Sequence, residues 1–334
     1  DYTGGEGHWL FEPQSTNLIP NANQYTGNTV YYTVTPNQSS PDGANNATLF
    51  VEKTATANYF VNSDNASIVG GQTYAYSFFV KYAGLQNLPV NASDGISGFG
   101  ANIDILNGTV NSGTAEIKDF GNGWFRVLMT RTVAASASNA KIQFNFGNQT
   151  GDGTSGFYLF GYQIEQQSFA TSYIPTNGST VTRLQDAAFG AGSSDLINST
   201  EGVLYAEMSS FFDVRGYVSI SDGTYGNSIR IGFRDNDIRV WVYVANSQTI
   251  SQLFEYNILN MNKIAVKYSS TDFKIYINGS NVFSTTSSTY PIETLNELAF
   301  RRGDQYNPFY GKAKCVAVFK EALTDAELTC LTTI

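Results

Sequence analysis

Ile229-Arg230-Ile231-Gly232-Phe233-Arg234-Asp235-Asn236-Asp237-Ile238-Arg239-Val240-Trp241-Val242-Tyr243-Val244 alternates apolar side chains on both sides of a short polar break. A period of two puts Ile229, Ile231 and Phe233 on one face of a strand, and Ile238, Val240, Val242 and Val244 on one face of the next. Asp235-Asn236-Asp237 supplies the turn between them, so the stretch predicts a β-hairpin. A second hairpin follows: Phe273, Ile275 and Ile277 run into Asn278-Gly279 and out through Val282. Asn-Gly tolerates the left-handed backbone that a two-residue hairpin turn demands.

The same period governs the first half of the chain. Tyr74, Tyr76, Phe78 and Val80 share one face of a predicted strand, as do Ile142, Phe144 and Phe146, and then Tyr158, Phe160, Tyr162 and Ile164. Turn clusters such as Pro41-Asp42-Gly43 and the Gly147 to Gly153 stretch separate them. Short strands at this spacing predict antiparallel sandwiches. A length of 334 residues suits two domains of roughly 150 residues each. Aromatic residues and charged residues each make up 14% of the chain, a balance that favours strands over solvated helices. The one helix expected is at about 324–332, where Thr324-Asp325-Ala326-Glu327 forms a capping box. Residues 175–200 are rich in Gly, Ser, Thr and Asn, with Gly190-Ala191-Gly192-Ser193-Ser194 the most linker-like stretch.

Composition excludes several classes of function. A net charge of −9 repels polyanions at long range, and basic residues such as Arg126, Arg131 and Arg183 are scattered, so no nucleic-acid partner is expected. No run of about 18 apolar residues exists, so membrane insertion is not expected either. The chain begins at Asp1 rather than Met, which reads as a processed product or part of a longer polypeptide. The only histidine, His8, lies in a Gly-rich N-terminal stretch rather than where a sheet or helix would position it, so no Ser/His/Asp or Cys/His apparatus is expected. Carboxylates such as Glu52, Glu116, Glu165 and Glu207 sit singly rather than in the facing pair that glycoside hydrolysis needs, so an enzyme is not expected. No cofactor is expected apart from calcium, whose oxygen ligands would come from Asp222, Asp235 and Asp237; solvated hairpin turns are the alternative. Cys315 and Cys330 are candidate disulfide partners, with two buried free thiols as the alternative.

Two sets of residues carry a family resemblance. Asp1-Tyr2-Thr3-Gly4-Gly5 with Leu10-Phe11-Glu12-Pro13-Gln14-Ser15-Thr16-Asn17-Leu18 resembles the lead-in motif of bacteriophage tail-fibre and virion structural proteins. Gly121-Asn122-Gly123-Trp124-Phe125-Arg126-Val127, Gln163-Ile164-Glu165, Ala170-Thr171-Ser172-Tyr173-Ile174-Pro175-Thr176 and Thr182-Arg183 resemble the end of the carbohydrate-binding-module-like jelly roll that follows it. Ile275-Tyr276-Ile277-Asn278-Gly279 and the segments Phe309-Tyr310-Gly311 and Ala322 to Leu328 are similar to a laminin-G-like, concanavalin-A-like lectin sandwich. The resemblance implies an all-β chain of two antiparallel β-sandwiches, jelly rolls in tandem, with one short C-terminal helix. It implies a lead-in segment at 1–20, a jelly roll at 21–184, a linker at 185–200 and a lectin-like sandwich at 201–334.

It also implies a non-catalytic protein of the virion surface or extracellular space, on a tail or head fibre, attached to other virion proteins and binding host or environmental glycans. A homo-oligomer, trimeric by preference, goes with that setting. A structural spacer and the accessory binding region of a secreted polysaccharide-degrading enzyme are the rival readings. Sugar recognition stacks an aromatic ring on a pyranose face while amides, carboxylates and Arg fix the hydroxyls. The candidates are Arg301, Arg302, Asp304, Gln305 and Tyr306, with Tyr256 and Trp241 beside them, and Tyr31 and Tyr32 in the first domain.

Overall fold

The computed structural model describes residues 7–212, 215–286, 290 and 294–334. The Asp1 to Gly5 part of the lead-in motif lies outside the described residues. Strands dominate and pair antiparallel, and the capping box of Thr324 and Glu327 starts the helix Asp325–Thr332. The chain forms two compact units: Gln14–Leu184, and Gln185–Ile334 together with the N-terminal residues up to Pro13.

In the unit Gln14–Leu184, one sheet runs Thr109–Gly113, Gly98–Asp104, Asn87–Ser93, Asn139–Thr150, Thr56–Asn62 and Thr26–Gly27, with Ala66–Ser67 also on Asn139–Thr150. The other runs Glu116–Asp119, Trp124–Thr132, Thr73–Ala83, Gly156–Glu165, Ala47–Glu52 and Tyr32–Gln38. Tyr74, Tyr76, Phe78 and Val80 enter one core with Ile142 and Phe144, as their spacing predicts. The expected single face of Tyr158, Phe160, Tyr162 and Ile164 is corrected. Gly161, at φ +65°, lies in a register shift between Phe160 and Gln163. The extra residue flips the pattern: Tyr162 and Ile164 join the core, while Tyr158 and Phe160 pack on the opposite face with Phe79 and Trp124.

Residues of the resemblance motif tie this unit's two ends together. Ser15–Asn17 pairs with Val181–Arg183. Glu165, fully buried, accepts hydrogen bonds from Ser15 Oγ at 2.6 Å, Gln163 Nε2 at 2.7 Å, Thr171 N at 3.0 Å and Thr171 Oγ1 at 2.5 Å. Asn17 Nδ2 donates to the carbonyls of Tyr162 and Ile174, both at 3.0 Å, and its Oδ1 accepts from the Ile19 and Ile164 amides. Buried polar groups need this saturation, since an orphaned one costs about 1–3 kcal/mol.

The other unit has a six-stranded sheet in the order Trp9–Phe11, Gly311–Phe319, Gly202–Ser210, Asn262–Tyr268, Phe273–Ile277 and Ser280–Thr285. Its five-stranded sheet runs Ser247–Phe254, Asp237–Val244, Ser228–Arg234, Gly216–Ser221 and Glu297–Ala299. Ile229, Ile231, Phe233, Ile238, Val240 and Val242 fill its core, and Asp235, Asn236 and Asn278 adopt the positive φ that the hairpin turns require. Two domain expectations are corrected here. Trp9–Phe11 is not a separate lead-in: it pairs with Gly311–Phe319, and Phe11 stacks on Phe300 at 4.4 Å within the core. Residues 185–200 are not a free linker either. Ile197 is buried in that core, Ala191 and Leu298 exchange backbone hydrogen bonds, and Asp186 N donates to Glu12 O at 2.9 Å. Composition misleads because small residues suit close backbone approach as well as flexibility.

The candidate disulfide is also corrected: both cysteines are free. Leu328 turns inward to Val203, Tyr205 and Tyr276, where Cys315 packs. Cys330 follows two residues later, about 200° around the helix, and is exposed.

Phe11→Ala is expected to lower the stability of the unit containing Gln185–Ile334 by about 3–5 kcal/mol. In calorimetry it should shift that unit's unfolding while leaving the transition of Gln14–Leu184 in place. Glu165→Gln turns one acceptor into a donor among donors and is expected to destabilise Gln14–Leu184 by about 2–3 kcal/mol, read as a fall in its urea midpoint.

Candidate functional site

The alternation that buries Ile229, Ile231 and Phe233 sends Ser228, Arg230 and Gly232 to the outer face of the five-stranded sheet. Its neighbours there are Tyr217 and Ser219 on one side and Trp241 and Tyr243 on the other, set by the registers Tyr217↔Gly232, Arg230↔Trp241 and Ser228↔Tyr243. Two loops fold over this face. One is the 222–227 connection, where Asp222 accepts hydrogen bonds from Thr224 N at 2.9 Å and Asn227 Nδ2 at 2.7 Å. The other is the 300–308 segment, closed by Arg302 N on Tyr306 O at 3.0 Å and Gln305 N on Arg302 O at 2.9 Å, with Gln305 at φ +73°. The loops meet at Gly303, where an added Cβ would lie 2.2 Å from Thr224 O and 2.9 Å from Ser221 Oγ.

The result is a column in which two rings and a guanidinium pack as a triangle at the buried end, followed by a second guanidinium and a third ring. The Arg230 guanidinium lies 4.3 Å from the Tyr243 ring centre and 4.5 Å from that of Tyr225, and the two rings are 4.6 Å apart. Arg302 follows at 4.8 Å from Tyr225 and 5.5 Å from Tyr306. Asp304 holds Arg302 by two hydrogen bonds, to Nε at 2.6 Å and to Nη2 at 2.7 Å. That planar fork fixes the guanidinium in place. Tyr306 caps the column and is 67% exposed. At the other end Arg230 is 2% exposed, with Nε donating to Ser228 Oγ at 2.8 Å and Nη2 to the Tyr225 carbonyl. Burial draws the Arg230 pKa down, the Tyr243 and Tyr225 rings oppose that, and neighbouring Arg302 adds to the lowering. Burial pushes the Tyr243 hydroxyl up to about 12, helped by Tyr225 and opposed by Arg230.

The structure thus brings together four of the expected residues, Arg302, Asp304, Gln305 and Tyr306. Trp241 shares the face but is buried against Tyr217, with ring centres 5.1 Å apart. Arg301 points elsewhere: its guanidinium lies over Phe189 at 3.9 Å and 3.6 Å from Glu297. Tyr256 packs against the core. Tyr31 and Tyr32 do not face a groove. Tyr32 is 2% exposed, packed edge-on to Phe50 and Tyr59, and Tyr31 lies against Tyr59. The calcium set is not assembled. Asp222 and Asp235 lie at opposite ends of Ser228–Arg234, roughly 20 Å apart at strand rise. Asp235 is taken by Arg239 at 2.8 Å and Arg234 at 3.2 Å, and Arg239 is also 3.8 Å from Asp237. Among the described residues no three His, Cys, Asp or Glu side chains gather to hold a metal.

Sequence reasoning missed Tyr225, Arg230 and Tyr243. The outward positions of the quoted hairpin, Arg230, Arg239, Trp241 and Tyr243, carried the signal. The expectation of scattered basic residues is corrected for this sheet, which gathers Arg215, Arg230, Arg234, Arg239 and Arg302 of the chain's nine arginines on or beside one face.

Gly303→Ala forces the two loops apart and is expected to cost about 1–3 kcal/mol. Near-ultraviolet circular dichroism from the clustered tyrosines should fall while the far-ultraviolet strand signal is kept.

No curated protein matches the chain. Among the described residues no helix is long and apolar enough to cross a membrane. Solved structures to which the chain is similar include the CBM40 module of the Ruminococcus gnavus IT-sialidase, at 15% identity over 44% of this chain and 95% of that one, TM-score 0.36. The native heptameric SAP-like pentraxin of Limulus polyphemus follows at 12% identity, 42% and 72% coverage and TM-score 0.31. Domains LG4-5 of the mouse laminin alpha1 chain match at 10% identity, 95% and 92% coverage and TM-score 0.30. Residues 206–329, which contain the whole ring and guanidinium column, match the laminin G model described as the concanavalin A-like lectin/glucanases superfamily.

Proposed function

We propose that the chain is a non-catalytic, extracellular carbohydrate-binding protein whose lectin-type sandwich takes glycan at the Tyr306 end of the column. One observation carries this reading: a tyrosine ring that is 67% exposed, held beside a guanidinium and a carboxylate already locked to each other. The ring offers an apolar face to a pyranose, while Asp304 and Arg302 offer an acceptor and donors to its hydroxyls. Because Arg302 is pinned between Tyr225, Tyr306 and Asp304, little side-chain freedom is left to lose on binding. Display on a virion fibre, as an oligomer among other virion proteins, rests on the resemblance of the Leu10 to Leu18 and Gly121 to Arg183 segments; the similar structures named above come from bacterial, horseshoe crab and mouse proteins.

Tyr306→Ala is expected to weaken retention on a glycan array by about ten-fold, equivalent to about 1.4 kcal/mol, with the thermal midpoint unchanged because the ring is open to solvent. Undiminished retention by the variant, or no glycan retained by the native chain, would overturn the reading.

A further inference from the structure

We infer that this site selects acidic saccharides, with Arg230 and the Tyr217 hydroxyl receiving a carboxylate or sulfate borne by the sugar. The inference rests on the carbohydrate-binding reading and adds the chemical class of the ligand.

Charge matching singles out Arg230. Arg234 and Arg239 are answered by Asp235, Arg301 by Glu297 and Arg302 by Asp304. Arg230 is more deeply buried than any of these and has no carboxylate partner among the described residues; its bonds go to the uncharged oxygens of Ser228 and Tyr225. A buried cation without a counter-charge is costly, and a guanidinium stays protonated whatever its surroundings. The rings of Tyr225 and Tyr243 beside it offset part of that cost, and its Nη1 makes no hydrogen bond among the described residues. Tyr217 stands beside it, its ring centre 6.0 Å from the Arg230 guanidinium, and its hydroxyl makes no hydrogen bond among the described residues. That hydroxyl feels four guanidiniums at once: burial raises its pKa, and Arg215, Arg230, Arg302 and Arg234 each pull it down. A buried guanidinium without a counter-charge and an unused hydroxyl beside it form a seat for one oxyanion.

The long-range field has the opposite sign. A chain of net charge −9 repels an acidic glycan at a distance, so recognition depends on this short-range seat rather than on a diffuse basic surface. Raising ionic strength from about 0.05 to about 0.3 M shrinks the screening length about 2.5-fold and weakens repulsion and attraction alike. Affinity for an acidic probe should therefore change by less than about three-fold, whereas a diffuse basic patch would lose roughly ten-fold or more.

The test uses the full chain on an array of oligosaccharide pairs that differ only in one group: galacturonate oligomers against their methyl esters, and sulfated galactans against their desulfated counterparts. The expected result is at least about ten-fold stronger retention of the acidic member in one of the two arms, and which arm responds distinguishes carboxylate from sulfate. Arg230→Lys, which keeps the charge but loses the planar fork, and Tyr217→Phe, which removes only the hydroxyl, should each erase the preference. Should Arg230→Lys fail to fold, Tyr217→Phe decides alone. Equal retention of acidic and neutral members, or a preference that survives both variants, would overturn the inference while leaving carbohydrate binding in place. Retention of no glycan at all would instead overturn carbohydrate binding itself.

Discussion

Successive side chains of a strand leave on opposite faces, and that constraint makes core and site from the same residues. Burying Ile229, Ile231 and Phe233 leaves Arg230 only the outer face, and burying Val240 and Val242 does the same for Trp241 and Tyr243. A one-residue slip in either strand would exchange the two sets and put the guanidinium in the core, a substitution costing far more than any local repair could return. Register is thus enforced from both sides: the apolar set cannot face the loops, and the cation cannot face the apolar set. The loops then need little invention of their own. Tyr225 and Arg302 have only to close over a ring and guanidinium already side by side, and Gly303 permits the approach.

What the sequence made legible was local. The hairpins through Asp235-Asn236 and Asn278-Gly279 and the capped helix at Thr324 are each written within about ten residues, and the backbone follows them. What escaped was non-local or hidden by composition. Trp9–Phe11 finds its partner some 300 residues away at Gly311–Phe319, a pairing that no window of sequence contains. Gly161 shifts the register of Gly156–Glu165 in the middle of an unbroken alternation, so its effect on Tyr158 and Phe160 shows only once the neighbouring strand is present. Tyr31 and Tyr32 look like binding residues because tyrosine is amphipathic; burial, which decides the matter, is a property of the whole sheet. The candidate site was half read, since 301–306 is contiguous, while Tyr225, Arg230 and Tyr243 join it only through the fold.

The residues that most resemble a known family prove to be structural where they can be seen. Gln163, Glu165 and Thr171 bond one another, and Asn17 bonds the backbone around them, at the place where the chain enters and leaves the first sandwich. Trp124 packs with Phe79 and Phe160 rather than lining a groove. A motif of this kind identifies how a domain is closed, and carries information about ligand only through the surfaces that the closure leaves free.

That closure also bears on how the chain can assemble. Pairing Trp9–Phe11 with Gly311–Phe319 would ordinarily require closing a loop of some 300 residues, a slow, high-contact-order step. The ladder of Ser15–Asn17 on Val181–Arg183 holds the two ends of the intervening unit side by side, and Glu12 and Asp186 are bonded directly beyond it, Glu12 N to Asp186 Oδ2 at 2.8 Å and Asp186 N to Glu12 O at 2.9 Å. Once those contacts exist, the N-terminal strand is in effect adjacent to Gln185, and the remaining closure is that of an ordinary sandwich of about 150 residues. The saturated carboxylate of Glu165 is then more than a local bond count: by fixing Ser15 to Thr171, it shortens the path that the lectin-type unit must search to gain its edge strand, and with it the core contact of Phe11 on Phe300.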